Sequence, residues 1–425
     1  MLTKTLTFSA TALAVALALS ACGGGGGGSS VSAGSTTAGT ITGFGSVFVN
    51  GVEFETAGAS ISVDKANATE SNLKVGMMVT VQGQVNPDGS TGTATSIEYS
   101  DELEGQVVSN GIVAPSTTGV IDIMGQQITI TDTTVFESDV TGITTIDQIV
   151  AGNIVEVSGT VTGLGSIEAT RIEVTAATLS DHLADHDSIE MKGVISALDT
   201  NTLTFTLGDM VVDYSGIPQG EQAALADGLY VEVESVDGIV SGQLIASSIS
   251  LEDDGEQGYQ GEDGEDMDVK GTISRDFDGS SFDVDGTTVI VDSATHLEEG
   301  LSTADLITGA VVEVEGSFNA TGELVASSIE GHADADQEIH GTVAVVTLDG
   351  VNSGTISLDD ADNTVIQITN DTIMVDDRED GTLPDEMFNL SKLASGDSIE
   401  VEVYMDSSNN LVAVKLERDN PETIQ

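Results

Sequence analysis

Gly309-Ala310-Val311-Val312-Glu313-Val314-Glu315-Gly316, followed by Ala326-Ser327-Ser328-Ile329-Glu330, is the stretch that decides the fold. Val312 and Val314 alternate with Glu313 and Glu315, the period-2 pattern of a strand with one apolar and one polar face. Asn319-Ala320-Thr321-Gly322 stands between the two segments and supplies turn chemistry, so the pair reads as a β-hairpin.

The same unit occurs four more times. Its first strand recurs as Gly76-Met77-Met78-Val79-Thr80-Val81, Gly152-Asn153-Ile154-Val155-Glu156-Val157, Gly228-Leu229-Tyr230-Val231-Glu232-Val233 and Gly396-Asp397-Ser398-Ile399-Glu400-Val401. Its second strand opens at Ala94, Ala169, Ala246 and Ala413. From glycine to alanine the five separations are 18, 17, 18, 17 and 17 residues in chain order, a regularity that marks internal repetition.

Each repeat also begins on a Gly-x-Ile/Val strand: Gly39-Thr40-Ile41, Gly105-Gln106-Val107, Gly193-Val194-Ile195, Gly271-Thr272-Ile273 and Gly341-Thr342-Val343. A strand, a glycine turn and another strand come next, as in Val47-Phe48-Val49-Asn50-Gly51-Val52-Glu53-Phe54. A short segment such as Thr69 to Lys74, able to form one helical turn, leads to the strand glycine.

Three strands, a helical turn and two strands is the order of an OB-type barrel, a closed sheet with few exposed edges. The expected fold is therefore all-β, a tandem array of about five small OB-like five-stranded barrels joined by acidic linkers. Their spans are 39–100, 104–175, 191–252, 268–331 and 337–419. An open five-stranded sandwich, or modules sharing a continuous sheet, would fit the same order. In the barrel reading, Val and Ile face the interior while Glu and Thr face water.

Gly43-Phe44-Gly45-Ser46-Val47-Phe48-Val49-Asn50-Gly51-Val52, Leu73-Lys74-Val75-Gly76-Met77 and Ala94 to Tyr99 resemble the bacterial domain of unknown function 5666. The match is close in module 1 and loosest in module 5, which carries an insertion around Asp376 to Asn389. The resemblance implies tandem envelope modules, often behind a lipoprotein signal, and assigns no active site.

The amino terminus agrees with that implication. Lys4 provides a sparse positive region, and Leu6 to Leu19 is apolar or small, the length of a signal-peptide core and too short for a comfortable membrane span. Leu19-Ser20-Ala21-Cys22 resembles a lipobox, so residues 1–21 are expected to be a lipoprotein signal peptide and Cys22 the lipidated residue. Residues 22–38, rich in Gly and Ser, read as a tether; about 16 such residues reach roughly 20–25 Å. Gly23 lacks the aspartate that signals inner-membrane retention in enteric bacteria, which points to the outer membrane of a Gram-negative-type cell envelope. Cys22 is the single cysteine, leaving no disulfide.

Seventy-one acidic residues against 11 basic ones give a net charge of −60. That balance excludes nucleic acid as a partner and disfavours adhesion to anionic headgroups. The partners that remain are the membrane through the lipid anchor and an envelope protein or polysaccharide. The charge itself is adaptation to a saline medium or a cation-binding surface.

The acidic linkers hold the candidate metal ligands. Asp181-His182-Leu183-Ala184-Asp185-His186-Asp187 would place His182 and His186 on one face if helical, with Asp181, Asp185 and Asp187 as further ligands for calcium or another divalent cation. The alternative is a solvated acidic linker. Leu251 to Asp268 reads as an extended acidic hinge, and His332 to Asp336 as a third joint. Asp276 to Gly279 and Asp283 to Gly286 resemble fragments of calcium loops but read as Asp-Gly turns.

No nucleophile elbow, phosphate loop, zinc-protease motif or EF-hand is present, and carboxylates are too abundant for spacing to nominate an acid–base pair. The expected function is a non-catalytic envelope lipoprotein, its modules strung as beads and acting as spacer or binding surface. Cation binding is the first alternative. A polysaccharide-acting enzyme is disfavoured by the absence of Trp and the presence of only 5 Tyr.

Overall fold

Alternating Val/Ile and polar residues form strands in all five modules. The computed structural model describes residues 35–252, 259, 261, 263–298, 301–333, 335–378, 388–406 and 408–419. The expected signal peptide, residues 1–21, and Cys22 lie outside the described residues. Among those residues, no helix is long and apolar enough to cross a membrane.

In module 1 the strands Ser35–Phe44, Val47–Val49 and Val52–Glu55 form an antiparallel meander. The third strand pairs in parallel with Thr91–Tyr99, which pairs with Met78–Val85, which returns to the first strand. That closes a five-stranded barrel with OB connectivity. The same ring of pairings closes in module 2, in module 4 and in module 5. Module 3 departs from it. Its first strand breaks between Ile189–Val194 and Ser196–Asp199, and its strands divide between two sheets.

One clasp, repeated in every module, explains the strand glycine. The second residue after the opening glycine (Ile41, Val107, Ile195, Ile273 or Val343) accepts a hydrogen bond from the strand glycine's N–H and donates its own to the following residue's carbonyl. In module 1 these bonds are Gly76 N to Ile41 O at 2.9 Å and Ile41 N to Met77 O at 2.8 Å. The geometry needs the left-handed region: Gly76, Gly152, Gly228, Gly309 and Gly396 have φ of 89, 98, 87, 91 and 99°, where an L side chain is strained. A second glycine sits at a β-bulge in the same strand. At Gly159 an added Cβ would fall 2.1 Å from the Glu168 carbonyl oxygen.

The predicted turns are present. Glu70–Asn72 forms one 3-10 turn before the clasp, and Asp88 caps the 86–89 turn through the N–H groups of Ser90 and Thr91. The apolar faces turn inward, giving separate cores in modules 1, 4 and 5 and one continuous core across modules 2 and 3.

The modules are not separate beads. The first strand of module 1 pairs in parallel with the first strand of module 4, Asp266–Arg275, joining Thr36, Thr37 and Ala38 to Met267, Asp268 and Val269. Residues 35–38, expected to be tether, are therefore strand, and Ala38 is fully buried in the core of module 4. The first strands of modules 2 and 3 also pair, through Leu103–Met191 and Glu104–Glu190. Module 5 docks on module 1 through Asn389 Nδ2, which donates to Phe44 O at 3.1 Å, and on module 2 through Lys415 Nζ to Thr134 O at 3.1 Å. These contacts pair polar groups across the module junctions.

Candidate functional site

The outward glutamates are the main departure from the pattern read in the sequence. Their positions on five adjacent antiparallel strands bring Glu173, Glu156, Glu104, Glu190 and Glu234 directly opposite one another in one continuous row. Directly opposed residues of antiparallel strands share a face, so like charges meet at close range. The row is not in open water. Module 1 lies against it, with Tyr99 Oη donating to Glu156 at 2.7 Å and Lys65 pairing with Glu232 at 3.0 Å. Lys192, almost buried, donates to Ser100 Oγ at 2.6 Å and to the Asp101 carbonyl.

Burial in this layer favours protonated carboxyls. Glu104 is pushed up to about 8, by burial first and by the neighbouring Glu156 second. Glu156 is pushed up to about 7 by burial, against the Tyr99 hydrogen bond, which acts in the opposite sense. Burial likewise raises Glu190, and Asp101 well above the ordinary carboxylate range.

The 181–187 segment lies beside Glu104. Thr178 caps a single turn, Leu179–His182, by accepting from Asp181 N. His186 N donates to His182 O at 3.0 Å, so the i, i+4 spacing is helical and the two imidazoles stack at 4.4 Å. His182 is buried. Its Nε2 lies 2.9 Å from the Ser188 carbonyl, and its Nδ1 lies 3.5 Å from Glu104 Oε1. The metal-ligand set expected from sequence is corrected here. Asp181, Asp185 and Asp187 are exposed and do not join the histidines; Asp181 takes the Thr178 hydroxyl at 2.7 Å instead. The carboxylate that joins them is Glu104, from a strand some eighty residues earlier. Glu104, His182 and His186 present ligand atoms that all lie within 4.8 Å of one another. Nothing local in Leu103-Glu104-Gly105 announces this role; it follows from the pairing of two modules.

Cavities open at the junctions, and two of them are roomy. One, of about 450 Å³, lies among modules 1 to 4 and is lined by Tyr230, Tyr259, Lys192, Glu102 and Asp285. Burial pushes Glu102 up to about 7 and Asp285 up to about 6. Asp285 occupies the turn expected at 283–286 and also accepts from Val161 N at 3.3 Å, tying module 4 to module 2. Tyr259, from the segment read as an acidic hinge, is held there through Thr287 Oγ1. The other cavity, of about 720 Å³, is bounded by modules 1, 2, 4 and 5, and nine threonines line it. Lys270 and Asp371 pair across it at 3.1 Å.

Fold and junctions define an all-β tandem-repeat protein of OB-type barrels, with its polar sites between the repeats. The chain belongs to the family described as Domain of unknown function (DUF5666), which matches it five times, over residues 37–98, 104–173, 192–250, 270–330 and 340–417. No curated protein matches it.

Proposed function

We propose that this chain is a non-catalytic lipoprotein of a Gram-negative-type cell envelope, held at the outer membrane through lipid on Cys22, and that its five modules act together as one binding body. The observation that carries binding over a passive spacer is the cavity of about 720 Å³. Its walls come from four modules, so it exists only while they stay docked, and its size suits a ligand site. Threonine hydroxyls, the Asn50 amide, Tyr404 and the carboxylates of Glu168 and Asp371 supply many donors and acceptors, set beside an apolar wall that includes Ile130, Val311, Ile373 and Val412. That lining suits a polyhydroxylated ligand, an envelope polysaccharide.

Catalysis is not part of the proposal. Burial raises several carboxyls, including Glu102, Glu104, Glu156 and Glu402. They do not single out one acid–base pair.

The test is titration of the mature protein in detergent with polysaccharide fragments from a bacterial envelope, read by calorimetry. Saturable binding that Tyr404→Ala weakens, and that the distant exposed change Lys65→Ala leaves alone, supports the reading. No saturable binding to any fragment overturns the polysaccharide assignment. Palmitate labelling of the wild type but not of Cys22→Ser tests the anchor.

A further inference from the structure

We propose that Glu104, His182 and His186 form a binding site for a divalent transition-metal cation of the zinc class. The argument begins with a buried atom. His182 has a fully buried side chain, and its Nδ1 has no hydrogen-bond partner among the described residues. A buried polar atom left unsatisfied is costly, and native structures seldom retain one without a reason.

The tautomer follows from the other ring nitrogen. Nε2 sits 2.9 Å from the Ser188 carbonyl, an acceptor, so Nε2 carries the proton and Nδ1 presents a lone pair. That lone pair faces Glu104 Oε1 at 3.5 Å. A cation between them, displacing the proton that Glu104 otherwise holds, satisfies both atoms. Two ligands each about 2.1 Å from a tetrahedral ion stand about 3.4 Å apart, close to the spacing present here. A ligating histidine whose remaining N–H is fixed by a backbone carbonyl is the usual second layer of such sites.

His186, exposed, supplies the third ligand from the solvent side by turning its ring out of the stack on His182, and its exposure gives the ion a path of entry. Two imidazoles and one carboxylate suit zinc, or a neighbouring transition metal, and not calcium, which takes oxygen ligands. Three protein ligands leave a fourth position to water. The location adds a physical reason: Glu104 is the middle member of the glutamate row, opposed by Glu156 on one side and Glu190 on the other. A dication there offsets repulsion that the fold otherwise bears.

The experiment uses the full mature chain, stripped of metal and titrated with zinc chloride against a chromophoric competitor. X-ray absorption of the loaded protein supplies the coordination shell. One tight equivalent is expected, with an imidazole-containing N/O shell. His186→Ala, an exposed change that spares the fold, lowers affinity more than tenfold, and millimolar calcium does not compete. His340→Ala removes a second surface histidine between Glu338 and Glu400 and serves as the control. Zinc binding that is absent from the wild type, unchanged in His186→Ala, or lost in His340→Ala overturns the assignment.

Discussion

Glu104 and Glu190 stand directly opposite each other on paired strands of modules 2 and 3, with Glu156 opposing Glu104 from its other side. Like charges directly opposed in a partly buried layer repel, and protons or cations held there relieve the repulsion. Glu104 and Glu156 keep their protons to about 8 and about 7, against an ordinary value of 4.5. The folded state therefore binds more protons than the unfolded one through that window. The row's contribution to stability is full below about pH 4.5 and is lost as pH rises to about 8. The guanidinium midpoint of the metal-free protein, measured from pH 5 to pH 8, should decrease steadily; a rising midpoint contradicts the account of the row.

Glu156→Gln removes one charge from the row while keeping an oxygen for the Tyr99 hydroxyl. It should stabilise the protein at pH 8 by about 1–2 kcal/mol and do little at pH 5, where the carboxyl is already neutral. Denaturation curves at the two pH values check this. Equal effects at both would mean that packing, not titration, governs the site.

Lys192 and Lys65 provide a contrast in burial. Lys65 exposes 62% of its side chain, whereas Lys192 exposes 9% and holds Ser100 and Asp101. Lys65→Ala should cost less than about 1 kcal/mol, as exposed ion pairs do. Lys192→Met strips a nearly buried layer of its cation and should cost about 3 kcal/mol or more. Thermal unfolding of the two variants under one buffer gives the comparison.

The clasp and the bulge separate two roles of glycine. At Gly396 an added Cβ meets nothing within 4 Å, so Gly396→Ala carries only the strain of φ 99°, about 1–2 kcal/mol. Gly159→Ala drives a Cβ against the Glu168 carbonyl and should cost more, with displacement of the fifth strand of module 2. Amide exchange along Ser166–Ala176 would show that displacement directly.

Much of the barrel was legible because its causes are local. Val312 beside Glu313, a glycine at each clasp, and Asp-Gly or Asn-Gly turns each act within a few residues, and repetition five times made the signal plain. His182 and His186 were legible for the same reason, since i, i+4 spacing is a property of one turn. Their partner was not. Glu104 looked like any solvent-facing strand glutamate, and Asp181, Asp185 and Asp187 looked like ligands because they were near in sequence. The segment around His182 read as a linker because it is acidic, and that around Tyr259 because it is acidic and glycine-rich, yet the His182 side chain is buried beside Glu104 and Tyr259 N donates to Thr287 Oγ1.

The sequence by itself determined which residues face the inside of each barrel, because a period of two leaves a strand only one apolar face. Only the tertiary structure decided what the other face meets. Parallel pairing of Thr36–Ala38 with Met267–Val269, and the meeting of Glu104 with Glu190, join residues from different modules. No spacing along the chain records such contacts; they exist because edges and polar faces of finished barrels find complementary partners on one another.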